Sequence, residues 1–360
     1  MNFIHYLIVF LLILGSCSEA NELIPNDPTE RNFLMGFSTW SYGPLPSDRE
    51  DTYRFIQTNG DVYSEHLDDR IPWSAWINGT PLPSDFVEDI DYRVSKMNDN
   101  TALSLSISCL NIDRDDLIQD WSGAQVNYTA MNDAVIEDAY YKHVEYLVER
   151  FKPAFLISSI EANDLLKNSP TKWEAYKLLM NNVRTRLKQR FPSLPISESI
   201  TLHNFFQPQV DNPSEFIQEV SDYIDQLDFV AVSFYPFFKN LHTKSEFQSA
   251  FNFLNEQTNK TIAIVETNHL SEDLIVPGLN INISSSPTEQ KEYLEVLMSN
   301  AVDNDYAYII WWAHRDYDAL WETFPVEVKD LGQIWRDTGL LDENGNERPA
   351  FSIWKTGFQK

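Results

Sequence analysis

The chain has 360 residues, 43% of them hydrophobic and 13% aromatic, a length that one α/β barrel commonly fills alone. With 27 basic against 54 acidic residues the formal net charge is −27. That balance disfavours nucleic acid and anionic membrane surfaces, whose phosphates need Lys and Arg partners.

The chain opens "MNFIHYLIVFLLILGSCSEA", with an apolar run over residues 6–14. The run is short for a membrane span and fits the core of a signal peptide. "LGSC" resembles a bacterial lipobox, which implies that residues 1–16 are removed and that Cys17 carries lipid. An ordinary secretory signal and an N-terminal anchor helix are the other readings, and all three export the domain. The expected location is the cell envelope or cell surface as a lipoprotein, or the medium. With Cys17 so used, Cys109 stands alone and no intrachain disulfide forms. Residues 17–31 are polar, contain Pro and have no period, as a lipid-anchored tether would.

From residue 32 short apolar runs alternate with amphipathic stretches. Strands are predicted at 32–38, 60–66, 102–110, 154–161, 195–203, 228–236, 261–266 and 307–314. The intervening segments, such as "MNDAVIEDAYYKHVEYLVERF" and "PTEQKEYLEVLMSNAV", carry helical spacing, and several start on an Asp, Asn or Ser cap. The last helix is "RPAFSIWKTGF". Eight such units make residues 32–360 a (β/α)8 TIM barrel in one catalytic domain, read as a monomer. An open doubly wound sheet would show a Gly-rich phosphate loop after its first strand, and "FSTWSYGPLP" is not one.

Side chains at the C-terminal ends of barrel strands converge on one face, which carries the active site in this fold. Reading those ends in order gives Trp40, then Glu65 and His66 followed by Asp68 and Asp69, Glu161 and Asn163, His203, Tyr235, Glu266 with Asn268 and His269, and finally Trp311 and Trp312. Trp73 and Trp76 follow the second strand. Glu161 and Glu266 each end a run that otherwise buries, "FLISSI" and "TIAIV", on strands 4 and 7. Two carboxylates across a sugar-sized cleft are what glycosidic cleavage needs: one protonated, to give its proton to the leaving oxygen, and one ionised, to attack or stabilise the anomeric carbon. Trp40, Glu65, His66, Asn163, His203, Tyr235, Asn268, Trp311 and Trp312 are the expected substrate contacts, the aromatic rings by stacking on pyranose C–H faces.

This arrangement resembles the clan of retaining (β/α)8 glycoside hydrolases with glutamates on strands 4 and 7. "VAVSFYPFF", "IAIVETNHL" and "TGLLDENGNERPAF" are similar to strand 6, strand 7 and the final segment of the arabinogalactan endo-β-1,4-galactanase family. The resemblance implies that Glu161 is the acid/base and Glu266 the nucleophile, and that the substrate is a β-linked poly- or oligosaccharide. The clan's Asn directly before the acid/base is replaced by Ile160, with Asn163 the candidate for its hydroxyl contact.

Two other classes remain. One is a surface glycan-binding lipoprotein on a barrel without catalysis. The other is a metal-dependent barrel hydrolase using the histidines and aspartates of strands 2 and 5. Neither HExxH nor a Cys-rich zinc spacing occurs, and no cofactor or metal is expected. The loops at 67–84 and 111–128 are expected to wall the cleft.

Overall fold

The computed structural model of the chain describes residues 31–359; residues 1–16, Cys17 and the tether up to residue 30 lie outside the described residues. Arg31, the tether's expected last residue, pairs with Asp61 at 2.6 Å.

The strands in chain order are β1 (Leu34–Ser38), β2 (Val62–Leu67), β3 (Ala102–Ile107), β4 (Phe155–Ile157), β5 (Ile196–Ser197), β6 (Ser199–Thr201), β7 (Val230–Phe234), β8 (Ile262–Thr267), β9 (Leu274–Val276), β10 (Ile281–Ile283) and β11 (Tyr308–Trp311). Nine of them form one sheet in the order β5-β4-β3-β2-β1-β11-β8-β7-β6, with every pairing parallel. Its two ends, β5 and β6, are halves of one segment interrupted at Glu198. The sheet therefore closes on itself as an eight-stranded barrel. The strands β9 and β10 form a separate antiparallel hairpin in the loop after β8.

The helices that matter for the site are α1 (Pro46–Asn59), α2 (Trp73–Asn78), α3 (Ser84–Ser95), α4 (Ala134–Phe151), α5 (Ala162–Asn168), α6 (Trp173–Arg190), α7 (Leu202–Phe205), α8 (Pro213–Ile224), α9 (Lys244–Gln257), α10 (Pro287–Asp303), α11 (Asp318–Trp321), α12 (Val326–Gln333) and α13 (Pro349–Phe358). The final predicted helix is α13. A capping box at Thr243 and Glu246 starts α9, and Ser286 caps α10 just before Pro287.

Strand side chains alternate between the lumen and the helix layer. Val62, Ile157, Phe229, Ala231, Ala263, Val265, Tyr308 and Ile310 form the apolar lumen. Met35, Phe37, Leu105, Val232, Phe234, Ile264 and Trp311 face outward into the main core beneath the helices. In "ALSLSI" of β3 the leucines pack outward and the serines line the lumen, where the Ser104 hydroxyl meets Tyr308 at 2.9 Å. Only a glycine fits at position 36 in the lumen wall: a Cβ there would lie 1.5 Å from the Val62 carbonyl oxygen.

Candidate active site

The alternation decides which of the expected residues reach the barrel mouth. On β1 the inward phase runs through Ser38 to Trp40, and on β2 through Val62 and Ser64 to His66. Just past β11 it passes through Ile310 to Trp312. Trp40 and Trp312 accordingly stand together at the mouth, ring centroids 5.1 Å apart, and His66 packs edge-on against Trp312 at 5.5 Å.

The opposite phase removes two expected contacts. Glu65 is fully buried on the outer face of β2, where it accepts from Tyr53 at 2.6 Å, Thr39 at 3.0 Å and Arg93 at 2.6 Å. Trp311 is buried under the helices with its indole N–H donating to the Thr338 carbonyl at 3.0 Å. Trp73 is likewise core, donating to the Ile118 carbonyl, and Trp76 packs on His143. Two asparagines also act inside the fold. Asn163 binds both backbone groups of Thr201, stitching α5 to β6. Asn268 is buried behind Trp312 and donates to its carbonyl at 2.6 Å. Asn163 is consumed in satisfying backbone groups that the irregular strand end leaves open, whereas the buried Oδ1 of Asn268 has no hydrogen-bond partner.

Glu266 lies on the outward phase of β8, together with Ile262 and Ile264, and would face the helices in a regular strand. A bulge re-aims it. Val232 pairs with Ile264 but the next residue, Ser233, pairs with Glu266; on the other side Ile309 pairs with Ile264 and Trp311 with Thr267. β8 thus carries one residue more than both neighbours. Val265 and Glu266 both turn inward, and Thr267 returns to the helix layer to bond the Tyr293 hydroxyl.

Glu161 arrives by a different local device. It follows β4 at the start of α5 in the left-handed conformation, φ 58° and ψ 45°, its N–H held by the Ser199 hydroxyl at 2.9 Å. A non-glycine residue there stores about 1–3 kcal/mol of strain, in a conformation that Arg114 shares at φ 51°.

An arc of alternating charge joins the two glutamates. The Tyr235 hydroxyl donates to Oε1 of Glu266, and His66 Nδ1 stands 3.4 Å from its Oε2. His66 Nε2 contacts Asp68 at 3.2 Å, Asp68 lies 3.8 Å from Arg114, and Arg114 binds Oε2 of Glu161 through Nε and Nη2, both at 3.1 Å. Burial would discharge His66, but Asp68 and Glu266 overcome it and raise the imidazole to about 9. Burial resists ionisation of Asp68 as well, yet His66 and Arg114 hold its carboxyl well below the usual carboxylate range. Burial pushes Glu266 up to about 7; His66 and Arg114 pull against this, while Glu161 and Asp68 add to it by repulsion. Asp164, beside Glu161, is raised to about 6 by burial and by that neighbour. Burial pushes His203 down to about 3, and its ring sits against Phe238 at 5.3 Å and Tyr235 at 6.1 Å.

Both expected loops contribute, 67–84 through Asp68 and 111–128 through Arg114. Arg114 itself is absent from the strand-end reading, because it lies seven residues past β3 and only the folded loop brings it to Glu161. The loop after β11 is the other omission: it holds α11 and α12, and Leu320 of α11 lines the mouth cavity. Among the described residues one trio with metal-binding geometry occurs, Asp316, Asp318 and Asp337 within 4.8 Å of one another. Arg348 pairs with Asp316 and Arg336 with the other two, so resident guanidinium groups already neutralise it. The acidic and imidazole groups after β2 do not converge on one point, since Glu65 faces outward and Asp69 is exposed.

The family model of glycosyl hydrolase family 53 matches residues 160–354. No curated protein sequence matches the chain. Among solved structures, the catalytic domain of an Ignisphaera aggregans GH53 protein is 15% identical with a TM-score of 0.58, over 93% of this chain and 98% of that one. A GH5_18 protein from Bifidobacterium longum subsp. longum, solved with Manβ1-4GlcNAc, is 15% identical with a TM-score of 0.66, over 91% and 78%. The chain spans about half the length of a β-glucuronidase from an uncultured Clostridium, at 12% identity and a TM-score of 0.54 over 91% of this chain and 50% of that one. At such identities the structural likeness speaks for the barrel fold.

Proposed function

The chain belongs to glycosyl hydrolase family 53, and from that premise we propose that it hydrolyses β-glycosidic bonds of a poly- or oligosaccharide with retention, Glu266 attacking and Glu161 serving as acid/base. The observation that carries the reading is the bulge in β8, which turns a glutamate of the outward phase into the mouth that Glu161 also faces. Tyr235 and His66 hold the attacking carboxylate by one hydrogen bond and one imidazolium contact. As Glu266 bonds the anomeric carbon, Glu161 gives its proton to the departing oxygen. Arg114 faces the carboxylate so produced, which then takes a proton from the water that cleaves the glycosyl-enzyme.

The proposal includes export through residues 1–16, lipid on Cys17 and a tether to residue 31, all of which rest on the sequence. The deciding experiment is a screen of the mature domain on β-linked plant and algal polysaccharides, with Glu161→Gln and Glu266→Gln beside it. Reducing ends should appear with the parent and fall at least about 10³-fold in both variants. Full activity in both would sink the assignment. Detergent-phase partitioning of the full chain, lost in Cys17→Ser, tests the anchor.

A further inference from the structure

With 54 acidic against 27 basic residues, a lysine in this chain rarely lacks a carboxylate within reach. Lys172 pairs with Asp116 at 2.9 Å, Lys177 with Glu219 at 2.5 Å and Lys244 with Glu295 at 2.6 Å. Lys167 and Lys239 are different: among the described residues neither contacts a carboxylate. Lys167 donates to Oδ1 of Asn204 at 2.8 Å and Lys239 to the Gln207 carbonyl at 2.5 Å, both neutral acceptors. An ammonium has three N–H donors, so each keeps two for a ligand.

Both stand on the face that carries the carboxylate pair. Lys167 lies near the end of α5, which follows β4, and Lys239 ends the 3-10 turn Pro236–Lys239 after β7. Their acceptors lie three residues apart, in α7 and just past it, after β6. Glu161 opens α5, so at about 1.5 Å of rise per residue Lys167 is about 9 Å along the helix from it. Burial and then Lys167 hold the Lys239 ammonium below the usual lysine range, and both lysines add to the burial that discharges His203 between them. Asp164 also feels Lys167, but Asn204 stands between the two and donates to both Asp164 oxygens, at 2.9 and 3.1 Å.

Beside Lys239 the ring of Phe238 is 39% exposed. His203 at 5.3 Å, Tyr235 at 6.0 Å and Trp335 at 6.1 Å support it, and Tyr235 in turn donates to Glu266. An exposed aromatic ring flanked by unpaired ammonium groups suits a sugar with a negative charge: the ring takes a C–H face and the lysines take the anion. The acidic remainder of the surface does not cancel this attraction, because charges beyond about 8 Å are largely screened at physiological ionic strength.

We propose that Lys167, Lys239 and Phe238 form a subsite for an anionic sugar, one bearing a carboxylate or a sulfate ester, in the chain that the glutamates cleave. The inference rests on the hydrolase reading above and adds to it the charge of the substrate. The distance of Lys167 from Glu161 assigns the anion to a sugar flanking the scissile bond and not to the reacting carbon itself.

The test measures kcat/KM of the full chain in detergent on neutral galactan, mannan, xylan and agarose, beside carboxylated mannuronan and glucuronoxylan and sulfated porphyran and carrageenan. An anionic polymer should be cleaved best, at least about tenfold above every neutral one, and its class tells carboxylate from sulfate. The double variant Lys167→Gln/Lys239→Gln should lose at least about tenfold on that polymer, whereas Lys167→Arg/Lys239→Arg, which keeps both charges, should stay within about threefold of the parent. A neutral polymer as the best substrate overturns the anionic subsite and leaves the hydrolase standing. An anionic preference that survives in the Gln variant overturns the assignment to these lysines, and equal losses in the Gln and Arg variants overturn charge as the cause. Cleavage of no polymer in the panel overturns the inference together with the hydrolase reading.

Discussion

Glu65 on β2 and Glu266 on β8 both fall late in strands that otherwise bury apolar side chains, yet they look in opposite directions. β2 pairs with β3 in unbroken register from Val62 to Leu67, so Glu65 keeps its phase and points under the helices. There its carboxylate is saturated by Tyr53, Thr39 and Arg93. β8 slips by one residue, and Glu266 turns into the mouth, where one hydrogen bond and one imidazolium offset burial and two repelling carboxylates. Glu198, at the break between β5 and β6, repeats the first case: fully buried, it takes Arg184 at 2.8 Å, Tyr176 at 3.1 Å and Tyr223. A buried carboxylate facing the helix layer is a closed polar network, whereas one facing the mouth keeps spare charge for chemistry. Residue type does not separate them; phase does.

The largest expected effect separates stability from activity at these two kinds of site. Glu198→Gln leaves the Arg184 guanidinium buried without its counter-charge, which should cost about 3–5 kcal/mol of folding stability. Rates per folded molecule should stay within about twofold of the parent, because surface-independent core changes act through stability. Glu266→Gln removes a buried charge that Glu161 and Asp68 repel, so its melting temperature should hold or rise while activity falls at least about 10³-fold. Thermal denaturation and initial rates on the same samples decide it. Loss of stability in Glu266→Gln matching that of Glu198→Gln would erase the distinction.

The pH profile sharpens the mouth further. Glu266 attacks only when ionised, so kcat/KM should rise as pH passes about 7, the value to which burial lifts it. His66 stays charged up to about 9 and so faces Glu266 as a cation throughout that limb. In His66→Gln the charge that lowers Glu266 is gone. The acidic limb should then move to higher pH. An unchanged acidic limb would mean that the imidazolium does not govern the nucleophile.

Much of this was legible in the sequence. The eight strands, the terminal helix and both mouth glutamates follow from apolar runs and their spacing, because burial forces those patterns. What was not legible is phase and reach. "TIAIVET" contains no glycine or proline to mark the slipped register; the bulge is fixed by pairing with β7 and β11, which are distant in sequence. The serines of β3 look solvent-facing in a period-two pattern but are buried in the lumen, where Ser104 bonds the Tyr308 hydroxyl. Arg114 and Leu320 sit in loops whose course no local pattern sets.

The finest form of the comparison is a single step in sequence. Trp311 and Trp312 are adjacent and chemically identical, but β11 sends the first under the helices and the second to the mouth. Trp311→Phe removes buried ring atoms and one of the two hydrogen bonds on the Thr338 carbonyl, the other coming from Gln290, a loss of about 1–3 kcal/mol in stability with KM unchanged. Trp312→Phe deletes an N–H that has no partner within the protein and keeps an aromatic face, so stability should change by less than about 0.5 kcal/mol. If that N–H binds substrate, KM should rise by roughly three- to tenfold, the worth of one hydrogen bond of about 1 kcal/mol. Equal effects of the two substitutions on KM would mean that strand phase does not divide core from site at β11. An effect of Trp312→Phe on stability alone would place the indole outside the substrate's reach while leaving the two glutamates where the bulge and the left-handed turn put them.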